Sequence, residues 1–512
     1  MTVRAFSGGQ IRTMQAGDTA DLLVIEGERI VDVGDRSMLD RYPDAERRDL
    51  AGRVLVPGLI DAHNHLSVAA LHPRWADVGR VRNREELIEV VRSRALAEPA
   101  TRWIRCFGWD ESRTDFTPTR QDLDEAGLDR PVLVAHFSLH QGVVNSVALD
   151  ELGIGRQSPD PPGGEILRDP SGEPSGFLLE RAWSEAHRRS MLDYADPDRW
   201  ADHIVTRAEE LLSDGITAVH DAACSPEAEA VYRGLARSRR LPISVVMLPH
   251  SAALLSNDPN DRLDGPVSGE GDERCRVGAI KLFADGGIAI AIDATIGGRP
   301  VRFGMVMEDL GTRGRDAADR GFSIAVHAIG NVGVDAALAL FEEVRRLRGA
   351  DCLLRLEHAG VTGPDQWRRL ASLGAIAVVQ PGFVEHVGRG VADMLFDDHH
   401  WLAFRGLQDS GVELAGSSDD PCAPVAPLWG ARRGESRATS TGVLFEPDQS
   451  VPFDDWLRAY TIGAARAGGQ EEERGSLARG KRADLAVLNL DPGGAARVDE
   501  TWVAGELVYA KP

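Results

Sequence analysis

Apolar residues fall into short unbroken runs through the middle of the chain and into paired runs at its two ends. Eight middle runs are "RVLVPGLI" (53–60), "GITAVHD" (215–221), "PISVVML" (242–248), "GAIKLF" (278–283), "FSIAVH" (322–327), "LLRLEH" (353–358), "AIAVVQ" (375–380) and "GVELAG" (411–416). Each is short and apolar on both faces, as buried parallel strands are. Helical periodicity fills most of the gaps, for example "NVGVDAALALFEEVRRL" (331–347) and "GPDQWRRLASLG" (363–374). Eight strand–helix units predict a (β/α)8 barrel. The gap after the first run is too long for one crossover, so residues ~70–205 are read as an insertion over the face where barrel active sites lie. At the N-terminal end, "DLLVIEGERIVDVGD" (21–35) predicts a hairpin around a glycine turn. Near the C-terminus, "ADLAVLNLD" (483–491) and "ETWVAGELVYA" (500–510) repeat the β pattern. The two ends are expected to pair with each other in one small sheet domain.

Composition narrows the class. At 512 residues the chain is long enough for one large domain and a smaller one. Its 43% hydrophobic and 27% charged content is that of an ordinary globular protein. No apolar run is long enough for a transmembrane helix, and "MTVRAFSGGQIRTMQAGD" reads as a strand, not a signal peptide. Cysteines 106, 224, 275, 352 and 422 lack paired spacing, which predicts a reducing, cytoplasmic setting. A net charge of −22 argues against nucleic-acid or anionic-membrane partners. A small molecule is the expected partner. A homodimer is compatible with the sequence, which leaves the oligomeric state open.

The polar residues give the barrel its chemistry. His63 and His65 follow the first predicted strand, Lys281 lies on the fourth, His327 and His358 end the fifth and sixth, and Asp419 follows the eighth. Residues two apart in extended chain point the same way, so His63 and His65 can share one ion. Imidazole and carboxylate suit zinc and related divalent metals. A lone histidine at a strand end more often packs or hydrogen-bonds; the whole set at the matching ends of five strands is far more specific. His220 and His250 also lie near strand ends, and their roles stay open. His399 and His400 sit in a polar loop expected to be solvated. Lys281 is one of only three lysines among 58 basic residues, the others being Lys481 and Lys511. In a chain that uses arginine almost everywhere, a retained lysine suggests chemistry that guanidinium cannot supply.

These residues resemble the amidohydrolase superfamily, and within it the amidohydrolase family 3 branch that includes N-substituted formamide deformylase. "VLVPGLIDAHNHL", "IKLFADGG", "VHAIGN", "LEHAG" and "LAGSSDDPCAP" resemble its metal motifs. Residues 107–149 and 161–182 resemble an insertion special to this branch, and "GSLARGKRADLAVLNLDP" (475–492) resembles the return to a small β-sandwich. The resemblance implies a TIM barrel over 54–474, a β-sandwich from 1–53 and 475–512, and hydrolysis of a non-peptide C–N bond. It implies that His63 and His65 bind one ion and His327 and His358 a second. Lys281, carboxylated by CO2 to a carbamate, would bridge them. Asp419 would bind metal and serve as general base, then general acid, for attack by a metal-bound hydroxide. Zinc is the expected metal, with one or two ions per chain. The branch usually reads "DGHSAWVNS" where this chain has "SLHQGVVNS", which keeps His140 and Asn145 and changes what precedes them. Trp109 and His140 are the candidates for substrate contact. One alternative is a mononuclear deaminase, which would carry a glutamate where this chain has Gly330. Another is a metal-free barrel used as a scaffold, which would have lost ligands that this chain retains.

Overall fold

The computed structural model describes residues 2–15, 19–111, 113, 116–250, 262–385, 391, 394–490 and 496–511. It is an α/β, TIM-barrel-like fold. The frame consists of β1 (Leu59–Asn64), β2 (Ile216–Cys224), β3 (Ser244–Pro249), β4 (Ile280–Phe283), β5 (Ile324–Ala328), β6 (Leu354–His358), β7 (Ile376–Val379) and β8 (Glu413–Gly416). β1 to β3 pair in order, as do β4 to β8, and every pair is parallel. An isolated parallel bridge between His250 and Lys281 joins the two rows. On the other side, Asp419 N donates to His63 O at 2.8 Å and His65 N to Asp420 O at 2.9 Å. The chain leaving β8 is thereby stitched to the end of β1.

The strands form where the apolar runs predict because both of their faces are covered. All nine residues of β2 are buried. The helix Asn331–Arg348 buries Val334, Ala337, Leu338, Phe341 and Val344, one apolar stripe, and ends in three arginines that suit its C-terminal dipole. The helix Pro364–Leu373 begins with proline and stops at Gly374, which is left-handed at φ 59°.

Two runs prove to be composite. The run 53–60 holds two strands: Val54–Pro57 pairs with Gln10–Arg12 and Leu485–Leu490, and β1 starts only after Gly58. A Cβ at Gly58 would lie 2.3 Å from Thr217 Oγ1 of β2, so a glycine is needed where the chain changes sheets. The run 500–510 folds back on itself at Ala504 and Gly505, both left-handed, the geometry of a two-residue hairpin turn. The N- and C-terminal strands share one six-stranded sheet. The predicted hairpin, Leu22–Glu26 with Arg29–Gly34, lies in a separate four-stranded sheet. Residue 491 of the run 483–491 is outside the described residues.

Between β1 and β2 the chain builds its own six-stranded sheet, in the order Gly164–Arg168, Pro174–Glu180, Gln141–Val144, Val132–His136, Ile104–Trp109, Ala76–Asp77. The five cysteines are free. Among the described residues no helix is long and apolar enough to cross a membrane.

Candidate metal centre

His63, His65, Lys281, His327, His358 and Asp419 come together in the wall of one cavity of about 400 Å³. Asp419 Oδ1 lies 3.0 Å from His65 Nε2 and 3.4 Å from His63 Nε2. The other rings follow in a row: His63 to His358 is 4.8 Å between centroids and His358 to His327 is 4.5 Å. Two of the six depend on unusual backbone. In regular extended chain, neighbours point to opposite faces. Glu357 nevertheless reaches His63 while His358 packs against the same ring, and φ at His358 is 73°. Asp419 is also left-handed, at φ 66°. Non-glycine residues adopt this region only when their surroundings hold them there.

The hydrogen bonds orient the rings. His63 Nδ1 is 2.6 Å from Glu357 Oε2, His65 Nδ1 is 2.8 Å from Ala222 O, and His358 Nδ1 is 3.0 Å from Gln380 Oε1. Each partner is an acceptor, so each ring carries a proton on Nδ1. His63 and His358 turn an Nε2 lone pair to the site. Burial at His65 is outweighed by its Nε2 hydrogen bond to Asp419, which raises that imidazole above its ordinary value and holds a proton that a bound metal would displace. Burial, aided by the Lys281 charge, pulls His63 down to about 4. Burial and His63 bring His358 down to about 3. Both are therefore neutral, the form that binds metal. Burial alone would raise Asp419, but the hydrogen bond from His65 and the nearby imidazoles outweigh it and keep the carboxyl well below its usual range. Burial pulls the Lys281 amine from 10.5 to about 8. Lys281 Nζ and His327 Nε2 are buried without a hydrogen-bond partner among the described residues. Orphaned buried polar atoms of this kind are costly. Two such atoms beside three oriented imidazoles and a carboxylate form a donor set that fits a divalent metal.

Glu357 is held by Arg355, whose Nε is 2.8 Å away, and both side chains are fully buried. Arg355 also donates to Ala62 O and Ala467 O and lies 3.1 Å from His220 Nδ1. Glu357→Ala removes one partner of a buried ion pair and should cost about 3–5 kcal/mol of stability. Urea unfolding of the metal-free protein measures this, and a wild-type midpoint would contradict it.

Other residues singled out in the sequence divide between the cavity and its surroundings. His140 lines the cavity, with its ring 5.3 Å from that of His327. Trp109 does not: it is buried in the insertion, edge-on to His136 and Phe177, and its Nε1 donates to Phe116 O. An aromatic on an inner sheet strand serves the insertion's core. His220 and His250 are buried outside the lining, His220 against Arg355 and His250 beside Phe283. His399 pairs with Asp398 and His400 with Glu446. Several polar residues escaped the sequence reading. Asp285 accepts from the backbone of Ala291, Ile329 and Gly330, and burial pushes it up to about 7. Asp110, Glu111 and His136 bring ligand atoms within 4.8 Å of one another at the cavity wall. There Glu111 Oε2 lies 2.9 Å from His136 Nε2 and Arg113 Nε lies 3.0 Å from Asp110 Oδ2, so both carboxylates of that cluster already have partners. "GWDE" offered a signal for the two carboxylates; nothing marked His136.

The model of the Amidohydrolase family matches residues 46–509. The chain belongs to the amidohydrolase family. It is 35% identical to an N-substituted formamide deformylase of Arthrobacter pascens, over 98% of this chain and 97% of that protein. It is 30% identical to a putative amidohydrolase, YtcJ, of Bacillus subtilis, over 98% of this chain and 99% of the other. A solved structure of an uncharacterised metal-dependent hydrolase from Pyrococcus horikoshii superposes with a TM-score of 0.75 at 25% identity, covering 96% of this chain and 98% of that one. This amidohydrolase is an enzyme, a metal-dependent hydrolase acting on carbon–nitrogen bonds other than peptide bonds.

Proposed function

We propose that the enzyme hydrolyses an uncharged N-substituted amide, of the N-formyl or short N-acyl class, to a carboxylate and an amine. One observation carries this reading: three oriented imidazoles, an ionised Asp419 and the orphaned atoms of Lys281 and His327 face an apolar cavity. In this reading His63, His65, His327, His358 and Asp419 would hold zinc, one ion or two, and Lys281 as a carbamate would add an anionic oxygen ligand. Bound there, the metal would acidify a water and polarise the substrate carbonyl. Burial of Lys281 supports the carbamate, because CO2 adds only to a neutral amine and a value of about 8 leaves roughly a tenth of the amine neutral at pH 7. Asp419 takes the proton of the attacking water as general base and delivers it to the leaving nitrogen as general acid. His63 and His358 are held still by Glu357 and Gln380 while this happens.

The walls support the substrate class. Phe137, Leu139, Phe283, Ile329, Phe383 and Trp401 suit an apolar nitrogen substituent. Among the described lining residues Lys281 is the only lysine or arginine, so nothing there is free to pair with a substrate carboxylate. The same reading has the eight strands close as a (β/α)8 barrel over 54–474. The terminal segments 1–53 and 475–512 form a β-sandwich domain that also takes Val54–Pro57 from the start of the barrel segment, in a cytoplasmic protein whose thiols stay reduced. The test is a hydrolysis screen of N-formyl and N-acyl amines with the zinc-loaded protein, with metal content measured alongside. Placing a carboxylate on the nitrogen substituent should lower kcat/KM by roughly tenfold or more, since a buried unpaired charge is costly. Equal rates for charged and uncharged amides would remove the apolar-substituent assignment.

A further inference from the structure

Glu180 belongs to the insertion, yet it is 1% exposed and engaged with the loop that follows the Lys281 strand. Its Oε1 accepts from Ile288 N at 3.0 Å and Ala289 N at 3.1 Å. Its Oε2 lies 2.8 Å from His140 Nδ1, and the Gly287 backbone N–H points at the same nitrogen from 3.1 Å. The fit is tight. A Cβ at Gly286 would lie 2.2 Å from Glu180 Oε1, and one at Gly287 would lie 2.3 Å from His140 Cδ2. The "DGG" after β4 thus exists where two insertion side chains press onto that loop. The backbone yields on the other side as well: φ is 49° at Glu180 and 61° at Leu139, the residue before His140. Strain on both flanks and two glycines opposite mark a deliberately held pair. Its ring stands beside His327, and among the described residues no hydrogen bond engages its Nε2.

We propose that the Glu180–His140 pair determines which amides the cavity takes: Glu180 locks His140 as the Nδ1–H tautomer, so that Nε2 presents a lone pair to the N–H of a secondary amide. The carboxylate is an acceptor only, and it is the nearer and the charged partner. An Nδ1 lone pair accepting from Gly287 N would face that oxygen at 2.8 Å, acceptor against acceptor, so the proton between the pair sits on Nδ1 and Nε2 is left to accept. A secondary amide has one N–H and satisfies it; an N-methylated amide has none, and leaves Nε2 facing a methyl group. This rests on the amide-hydrolase reading above. His140 touches substrate, and Glu180 is its positioning residue.

Glu180→Gln isolates the effect. Gln is isosteric, and its oxygen is claimed by the two backbone N–H groups of Ile288 and Ala289. Its amide NH2 then faces Nδ1, which must accept, and the ring proton moves to Nε2. The experiment uses the metal-loaded full chain and a matched pair, N-butylformamide and N-butyl-N-methylformamide. Hydrolysis, binding by titration calorimetry and the His140 tautomer by imidazole carbon-13 chemical shift are read in parallel. Wild type should prefer the N–H amide by roughly 10²-fold in kcat/KM, because a site built to bond an N–H rejects the analogue lacking it. Glu180→Gln should show the other tautomer and a preference cut to about threefold. A steric preference would survive the substitution, and that result overturns the proposal, as does a wild type that treats both amides alike. If wild type binds the N–H amide selectively but cleaves neither, the hydrolase reading fails while the tautomer assignment stands. If neither amide binds, both fall.

Discussion

Lys281→Arg should give a folded protein that retains neither metal nor activity. The substitution looks conservative, and the physics says otherwise. Lys281 is 1% exposed, and its amine has no hydrogen-bond partner among the described residues. A cation fixed there would be repelled by the metal and would be expensive to desolvate. A site of four neutral imidazoles and one carboxylate gains from another anionic ligand. Burial has already pulled the amine to about 8, which makes a neutral, carboxylatable lysine accessible. Arginine stays protonated and cannot follow. Lys281→Ala guards against a packing artefact: it too should lose metal, and short carboxylic acids should restore part of the binding and rate by occupying the vacated space. Elemental analysis of the purified proteins, circular dichroism for fold and steady-state assays check these outcomes. Full activity in the arginine variant would exclude the carbamate.

Asp419→Asn should leave the fold intact and lower kcat by roughly 10²–10⁴-fold, the range for loss of a general acid–base group. The change is nearly isosteric. It removes the charge that His65 and the neighbouring imidazoles stabilise, and it leaves an amide that cannot accept a proton. A fall in kcat with metal still bound would assign proton transfer. Loss of metal with the rate would assign ligation as the dominant role. Turnover close to wild type would take Asp419 out of both.

The frame was legible in the sequence because a parallel strand buried on both faces leaves an apolar run that little else produces. Five of the six cavity residues were legible because they sit at or just past strand ends, where the pattern switches from apolar to polar; Lys281, inside β4, stood out as one of three lysines. The misreadings are equally physical. At 53–60 a single apolar run serves two sheets, and only the glycine within it hinted at the change. Trp109 was a candidate for substrate contact because it lies in the insertion expected over the site, but its ring is buried in the insertion's core and outside the described cavity lining. Glu357 and Arg355 alternate with leucines as any half-polar strand would, so nothing marked them as a fully buried pair. Glu180 stands at a strand–helix junction, and its two backbone partners, Ile288 and Ala289, lie more than a hundred residues away. Long-range pairing of that sort leaves no local trace. The left-handed turns at His358 and Asp419, which aim both side chains, are likewise set by their surroundings.

Val54–Pro57 lies between Gln10–Arg12 and Leu485–Leu490, one residue ahead of the strand that carries His63. On the ribosome, His63 and His65 therefore emerge hundreds of residues before the strand that braces their approach. A nascent chain halted before residue 485 has one edge of Val54–Pro57 open and the run into His63 and His65 held from one side only. Assembly of this centre has to wait for that pairing.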